Sequence, residues 1–475
     1  MKILLILPPE THLITEAPIV QPPLGLLYLA SVLQKEGHYV EILDCIVENW
    51  RTIVRRKKFV HIGIDWKEIE RRVRASNPDM VGISCLFTCQ LDNALTIAKI
   101  VKETINVPVV MGGSHPSALP KETLQNKNVD YVIIGEGENS FAQLIKGEPV
   151  SLIDGIGYRV REEIRVNPKR RYIENLDELP FPARHLVPMK EYFRANMTHA
   201  SYSKRQPATS IITSRGCPKK CVFCSIHTIW GYEWRARSPK NVVDEIETLI
   251  QNYGMQEIHF EDDNLTLNGT RMKEICLEIL KRKIDISWTT PNGVAIETLT
   301  PELLALMKKS GCYALSLGIE SGNEYILNSV MKKGLKLETV ERVIKWAKEA
   351  EIETYGFFVL GVPTETRETI EDTIRFAKKL DLDLASFFVA TPYPGTDLYE
   401  VCREKGYLKW NGNPVTLTPT QPVIETEMLE QKDLANLQKK AYIEFEVHRL
   451  LNHPIRYFTK PRSLKRIIQY LKVRL

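Results

Sequence analysis

The sequence lacks any long uninterrupted hydrophobic run. Its apolar opening, residues 3–7, ends at Pro8-Pro9-Glu10 and is too short for the hydrophobic region of a signal peptide. No run approaches the roughly eighteen consecutive apolar residues that a membrane-spanning helix needs. We therefore expect no spanning segment and a cytoplasmic protein.

The sequence also lacks an evenly spaced cysteine framework and a strong charge bias. An odd number of cysteines, nine in 475 residues, argues against a disulfide-stabilised secreted protein. A formal net charge of only +5 gives no argument for nucleic acid, so no nucleic-acid partner is expected. Hydrophobic and charged contents of 43% and 26% are typical of a globular protein, here long enough for about two or three domains.

Three of the cysteines nevertheless stand close together. Cys217, Cys221 and Cys224 are separated by three and then two residues, on a short stretch that follows an apolar, strand-like run. Three thiolates satisfy three irons of a four-iron cluster and leave the fourth iron open to a ligand. The alternative is a zinc site completed by His227, three residues after the last cysteine.

The spacing C-x3-C-x2-C, with the aromatic residue Phe223 before the last cysteine, resembles the signature of the radical S-adenosylmethionine (SAM) superfamily. The resemblance implies that the open iron chelates the amino and carboxylate groups of SAM, and that reductive cleavage gives a 5′-deoxyadenosyl radical. It places Phe223 near the adenine and implies a low-potential electron donor of the ferredoxin or flavodoxin type. Because the similarity continues beyond the motif, we favour the cluster over zinc.

Residues 1–150 alternate apolar strands with helical segments. Strands over 3–7, 39–43, 80–84, 107–111 and 131–134, with helices over 23–35 and 91–104, predict a doubly wound, Rossmann-like parallel sheet. Such sheets bind ligands beyond the carboxyl ends of their strands, where two glycine clusters fall. The clusters are Gly112, Gly113, Ser114 and His115, and Gly135, Glu136, Gly137 and Glu138.

This half resembles the cobalamin-binding domain that precedes many radical SAM domains. The resemblance rests on residues 22–30, 112–116 and 130–138, and it implies that both glycine clusters border cobalamin. The D-x-H-x-x-G motif that supplies a histidine to cobalt in other cobalamin domains is absent. We therefore expect base-off cobalamin without a histidine lower ligand. The alternative is a Rossmann-like domain that binds no cofactor.

Residues 151–205 are predicted to form a connector with a small hairpin near 156–164. Residues 206–405 again alternate strands and helices, in about six units, which is fewer than the eight of a full barrel. A partial (β/α)6 barrel, which radical SAM domains resemble, leaves a side opening wide enough for a large substrate.

Polar residues follow the strand ends of this barrel, where a SAM site would lie. The candidates are Arg235, Glu261, Asp262, Asp263, Asn264, Glu320, Ser321, Gly361, Glu365 and Thr391. The resemblance places 261–264 at the SAM amino group, 320–321 at its ribose or methionine end, and 361–365 near its adenine. An arginine at 235 could pair with a carboxylate through two hydrogen bonds. The alternative for each residue is a helix cap, and no further catalytic residue is assigned.

Residues 406–475 are predicted to be helical. From Val447 onward the sequence has no acidic residue, and apolar side chains of 463–475 fall on one helical face with basic residues around it. A basic amphipathic helix suits peripheral contact with an anionic membrane. The alternative is that this face packs on the protein.

Over roughly residues 1–400 the chain resembles cobalamin-dependent radical SAM enzymes. We predict a C-methyltransferase that removes hydrogen from an unactivated carbon of a large substrate, a lipid or isoprenoid, and adds the methyl group of methylcobalamin. One alternative is a radical SAM cyclase or carbon–carbon bond-forming enzyme without methyl transfer, acting on a lipid or tetrapyrrole. A second is a non-catalytic iron–sulfur module that tethers partners at a membrane.

Overall fold

The computed structural model describes residues 1–454 apart from 15, 17 and 57. The strands of the N-terminal half are β1 (Lys2–Leu7), β2 (Glu10–Leu13), β3 (Tyr39–Asp44), β4 (Ile53–Arg56), β5 (Phe59–Ile62), β6 (Met80–Ser84), β7 (Val109–Gly112), β8 (Tyr131–Ile133), β9 (Ile156–Val160) and β10 (Glu163–Asn167). Its helices are α1 (Leu24–Lys35), α2 (Trp66–Ser76), α3 (Leu91–Thr104), α4 (Ser114–Ala118), α5 (Pro120–Gln125), α6 (Glu138–Ile145) and α7 (Met189–Ala195).

The N-terminal half is built on a seven-stranded sheet in the order β10-β9-β8-β7-β6-β1-β3. The pairs from β3 through β8 are parallel, and their apolar runs are buried because helices cover both faces. The hairpin predicted in the connector is present. Its first strand pairs antiparallel with β8, so the hairpin extends this sheet.

A second, three-stranded antiparallel sheet, β2-β5-β4, follows the carboxyl end of β1. Its buried side chains, Val60 and Ile62, pack with Val20, Leu24 and Leu27 near α1. Neither this sheet nor α2 is predicted by the sequence pattern.

The strands of the second half are β11 (Ala208–Ile211), β12 (Ser214–Arg215), β13 (Arg235–Ala236), β14 (Glu257–Phe260), β15 (Ser287–Val294), β16 (Cys312–Glu320), β17 (Glu353–Leu360) and β18 (Leu384–Val389). Its helices are α8 (His227–Trp230), α9 (Pro239–Tyr253), α10 (Gly269–Lys281), α11 (Pro301–Lys309), α12 (Leu337–Glu349), α13 (Arg367–Lys379), α14 (Asp397–Glu404) and α15 (Gln431–Asn452).

Six of these strands form one parallel sheet in the order β11-β14-β15-β16-β17-β18. Alternate side chains point outward to the helices, among them Phe260, Trp288, Phe358 and Phe387, all fully buried. The sheet does not close on itself, which confirms the predicted partial barrel. Helix α15 packs on α13 and β18, where Phe445 is buried.

No helix in the described part of the chain is both long and apolar enough to cross a membrane. The predicted basic amphipathic helix over 463–475 lies outside the described residues.

Candidate active site

The motif cysteines lie on a loop whose base is the two-stranded ribbon β12–β13. The ribbon pairs Arg215 with Arg235 in antiparallel register, so the residues between them form one closed loop. Gly216 has a φ of +86°, and a Cβ at this position would stand 2.1 Å from the carbonyl oxygen of Glu233. The entry to the loop therefore requires glycine.

The loop is fixed against the barrel, and its cysteines are half-buried. The amide of Val222 donates to the carbonyl of Met331 at 3.2 Å. Burial raises the pKa of the Cys224 thiol to about 12 and also raises the pKa of the Cys221 thiol. Thiolates in such surroundings require a positive centre, which iron supplies, so this donor set fits a cluster.

The geometry does not favour the zinc alternative. Among residues 1–454, as far as they are described, no three Cys, His, Asp or Glu side chains are placed to share a single metal ion. His227 instead stacks on Tyr232, with ring centroids 4.9 Å apart. A four-iron cluster does not require the three sulfur atoms to meet at one metal ion, because each of its thiolates binds a different iron.

The polar residues after β14 are of two kinds: some are bonded within the protein, and others have buried oxygen atoms without a hydrogen-bond partner in the described chain. Asp262 is fully engaged, since it accepts hydrogen bonds from the Thr213 amide at 3.1 Å and the Thr213 hydroxyl at 2.8 Å. By contrast, Glu261 Oε1 and Asn264 Oδ1 are buried and have no protein partner among the described residues. Burial and the neighbouring carboxylate raise the pKa of Asp263 to about 7.

Of these two residues, Asn264 lies beside the cluster loop and Glu261 lies beside His199. Asn264 Nδ2 is 3.7 Å from Cys217 Sγ, and Glu261 Oε2 is 3.0 Å from His199 Nδ1. Buried acceptors without partners are costly unless a ligand satisfies them. They fit the ammonium group of SAM, which is a donor.

The end of β16 holds an ion pair that the sequence does not predict. Glu320 adopts a left-handed φ of +67°, and its Oε1 accepts a bond from Lys333 Nζ at 2.7 Å. The positive charge of Lys333 opposes the burial effect on the pKa of Cys221. Ser321 is fully buried and bonded to Thr373, so it is structural in this arrangement. No local pattern singles out Lys333, because its partner lies thirteen residues away.

The loop after β17 is shaped by Glu365. Its Oε2 accepts the amides of Gly361 at 2.6 Å and Val362 at 3.0 Å, while its buried Oε1 has no protein partner in the described chain. Burial raises the pKa of this carboxyl to about 8. Phe223 packs against the apolar group that contains Val362. Thr391 donates to the Val389 carbonyl at the end of β18.

Arg235 faces the N-terminal half. It donates to Glu136 Oε1 and to the Ile173 carbonyl, both at 2.7 Å, and to the Trp230 carbonyl at 2.9 Å. The side chain is buried by these partners. The carboxylate that Arg235 contacts is that of Glu136, so the geometry gives no support to the expected place of this arginine in the SAM site.

The two glycine clusters at the sheet edge differ in what they contact. A Cβ on Gly112 would meet nothing closer than 3.8 Å. Gly113, with a φ of +119°, would place a Cβ 2.4 Å from the Cys85 carbonyl oxygen. Gly135 likewise faces its own chain, 3.0 Å from the Ile229 carbonyl oxygen. Gly113 and Gly135 are thus needed for internal packing, whereas Gly112 has room for a side chain and Gly137 would meet only the Ile133 side chain, at 3.5 Å.

Unpartnered polar atoms nevertheless line this edge, after three adjacent strands. Glu10 Oε2 follows β1, Gln90 Oε1 follows β6, and His115 Nε2 follows β7, and none has a hydrogen-bond partner among the described residues. The other ring nitrogen of His115 bonds Thr88 at 3.1 Å, and burial lowers the pKa of the imidazole to about 4, so it is neutral. Buried polar atoms of this kind fit an amide-rich ligand such as cobalamin.

Two protein-family models match the chain in the same order as these two sites. A B12 binding domain matches residues 11–145, and the radical SAM superfamily matches residues 211–377. An uncharacterized methyltransferase of Pyrococcus horikoshii is 37% identical over 455 residues, covering 94% of this chain and 92% of the relative. The chain belongs to the cobalamin-dependent radical SAM methyltransferase family. Its cofactors are a [4Fe–4S] cluster, SAM and cobalamin.

Two further comparisons agree with this membership. Cytidylyl-2-hydroxyethylphosphonate methyltransferase of Streptomyces wedmorensis is 31% identical to this radical SAM enzyme over 484 residues, covering 94% of this chain and 90% of the relative. The structure of the methyltransferase TsrM from Kitasatospora setae, with cobalamin and a [4Fe–4S] cluster bound, superposes with a TM-score of 0.69 at 21% identity. That match covers 86% of this chain and 79% of TsrM, and it confirms the predicted fold.

Proposed function

We propose that this enzyme methylates an unactivated carbon of a large substrate with an apolar, lipid-like or isoprenoid part. When bound, the cluster and SAM supply the 5′-deoxyadenosyl radical and cobalamin supplies the methyl group. A hydrogen atom passes from the substrate carbon to the 5′-deoxyadenosyl radical, giving 5′-deoxyadenosine, and a carbon–carbon bond to the methyl group replaces the broken carbon–hydrogen bond. Two electrons from a low-potential donor and two SAM molecules balance each turnover, giving methionine, 5′-deoxyadenosine and S-adenosylhomocysteine.

The observation that carries the proposal is the set of buried acceptors without partners at two strand-end edges. Glu261 and Asn264 offer theirs after β14, where Asn264 lies 3.7 Å from Cys217 Sγ, whereas Glu10, Gln90 and His115 lie at the edge of the N-terminal sheet. Two ligand sites on one chain are what a reaction with two separate cofactors needs. In this proposal Glu261 and Asn264 orient SAM through its ammonium group.

Two apolar features support a hydrophobic substrate. Leu86 and Phe87 follow β6 at the proposed cobalamin edge and are 46% and 53% exposed. Phe357 and Phe388 pair at 5.8 Å on neighbouring strands. They alternate with the buried Phe358, which faces the helices, so they line the barrel interior. We propose that the substrate enters between these surfaces through the open side of the barrel.

The test is anaerobic turnover of the reconstituted enzyme with SAM carrying a deuterated methyl group and lipid extracts or isoprenoids as substrate. We expect 5′-deoxyadenosine, S-adenosylhomocysteine and a product that carries the deuterated methyl. Formation of 5′-deoxyadenosine with an oxidised or cyclised, unlabelled product would identify the alternative cyclase chemistry. If polar substrates were methylated and lipids were not, the proposed lipid-like substrate would be wrong, and the proposed methyl transfer would stand.

A further inference from the structure

A buried ionic network joins the base of the cluster loop to the N-terminal sheet. Arg215 donates from Nη1 to Glu136 Oε1 at 3.1 Å and from Nη2 to Glu138 Oε1 at 2.7 Å. Arg235, its partner across the ribbon, donates to the same Glu136 oxygen at 2.7 Å. All four side chains are at most 6% exposed.

Aromatic rings enclose the arginines. The Arg215 guanidinium lies 4.6 Å from the ring centroid of Trp230 and 5.4 Å from that of Tyr28. Arg235 lies 5.1 Å from the ring centroid of Tyr172. The Arg215 guanidinium is therefore held by two ring faces as well as by charge, and the Arg235 guanidinium by one. This enclosure keeps water out and restricts the orientation of the ribbon.

The position of the network indicates its role better than its contribution to the free energy of folding does. Buried ion pairs are weak evidence for stability, because desolvation offsets their attraction, and hydrophobic replacements are often neutral. The two nitrogens of Arg215 contact two different carboxylates, and this two-point contact does fix orientation. Here the carboxylates stand at the carboxyl end of β8, and the arginines stand at both ends of the loop that carries the three cysteines.

We propose that Glu136 and Glu138 are positioning residues that set the location of the iron–sulfur cluster relative to cobalamin. They do not contact cobalamin, contrary to the sequence expectation, because Arg215 and Arg235 occupy them. The inference rests on cobalamin at the sheet edge, as proposed above. Small displacements matter in such a reaction, since radical formation and methyl delivery must converge on one carbon, and a shift of about 1 Å can cost about 100-fold in rate.

The test measures the magnetic interaction between the reduced cluster and cob(II)alamin by pulsed electron paramagnetic resonance. The main variant is the pair Glu138→Leu with Arg215→Met, which removes both charges, whereas Glu138→Ala alone would leave Arg215 buried with one carboxylate partner fewer. Glu163→Gln, which breaks an exposed pair with Arg165 on the neighbouring hairpin, is the matched control.

We expect the wild-type enzyme and the control to show one defined interaction. The pair variant should bind iron and cobalamin at wild-type ratios but show a broadened or weakened interaction. It should also release several-fold more 5′-deoxyadenosine per methylated product. Glu138→Asp, which retains the charge on a shorter side chain, should give a defined but shifted interaction, and it carries the test if the pair variant loses a cofactor.

The positioning role would be overturned if the pair variant showed an unchanged magnetic interaction and an unchanged product ratio. Where Glu138→Asp carries the test, an unchanged interaction in that variant would overturn it. Either result would leave the methyltransferase proposal intact. A wild-type protein that binds a cluster but no cobalamin would overturn both.

Discussion

Lys333, whose side chain is 17% exposed, brings a positive charge to the cluster loop. Its ammonium pairs with Glu320, and the pair fills the space above Gly318, where a Cβ would lie 2.6 Å from Glu320 Oε1 and 2.9 Å from Lys333 Nζ. The cation acts electrostatically on Cys221. Reduction adds negative charge to a cluster, so a neighbouring cation favours the reduced state.

We therefore expect Lys333→Met to make the cluster potential more negative while iron content is retained. A unit charge within about 10 Å contributes about 1–2 kcal/mol at an effective dielectric of about 20. A redox titration of the reconstituted protein measures the change. Lys332→Met is the control, because this neighbour is 56% exposed and only 3.7 Å from Asp397. Equal potentials in both variants would contradict the role of Lys333.

The buried carboxyl of Glu365 should make the stability of the folded protein depend on pH. Burial raises the pKa of its carboxyl from 4.5 to about 8 in the folded state, so the folded protein holds a proton that the unfolded chain releases. This contribution to stability is complete below about pH 4.5 and is lost as pH rises toward 8.

Glu365→Gln keeps the acceptor for the Gly361 and Val362 amides but cannot ionise. We expect its stability relative to wild type to grow with pH between 5 and 8, by up to about 1.4 kcal/mol per pH unit. Thermal unfolding at several pH values measures this. Glu368→Gln, at an exposed carboxylate whose pKa is lowered by its own backbone amide, should show no such trend. A flat difference for Glu365→Gln would show that the carboxyl is ionised when folded.

At the residue scale, local spacing identified the cysteines but not the partners of charged side chains. The C-x3-C-x2-C motif is contained within eight residues, so its chemistry can be read directly. Arg235 and Glu136 are separated by 99 positions, and each is a candidate ligand from its place in the sequence, Arg235 after the cluster loop and Glu136 in a glycine cluster at a strand end. Their pairing depends on how two halves of the chain meet, which periodicity does not encode.

At the element scale, buried strands and helices were predicted best. Strand β6 and helix α3 begin and end where the apolar pattern predicts. The pattern does not predict the sheet β2-β5-β4, because its strands have four residues each and mix polar or charged with apolar side chains. Helix α2 buries only Ile69 and Val73, so its apolar signal was too weak.

The loop that follows β7 provides a test at this scale. Gly113→Ala should destabilise the N-terminal half by about 1–3 kcal/mol, since it forces a Cβ against the Cys85 carbonyl at an unfavourable φ. Gly112→Ala should leave stability nearly unchanged because that position is open. Chemical unfolding of both variants checks the difference. If cobalamin lies over Gly112, Gly112→Ala should lower cobalamin retention without loss of iron. Unaltered retention would mean that cobalamin binds away from Gly112.

At the scale of the whole molecule, the sequence predicts two units with ligand sites at their strand-end edges. What it does not predict is the ribbon β12–β13, whose two arginines join one unit to the other. The central claim is that the iron–sulfur cluster with SAM and the cobalamin act on one chain, and that Cys217, Cys221 and Cys224 hold the cluster.

The most direct measurement follows both fates of SAM in one anaerobic sample. The protein is loaded with iron, sulfide and cobalamin, reduced, and supplied with SAM carrying a deuterated methyl group. We predict about four irons per chain, formation of 5′-deoxyadenosine, and deuterated methylcobalamin. Cys221→Ala should lose 5′-deoxyadenosine formation. A loaded wild-type protein that yields neither 5′-deoxyadenosine nor labelled methylcobalamin would contradict the account.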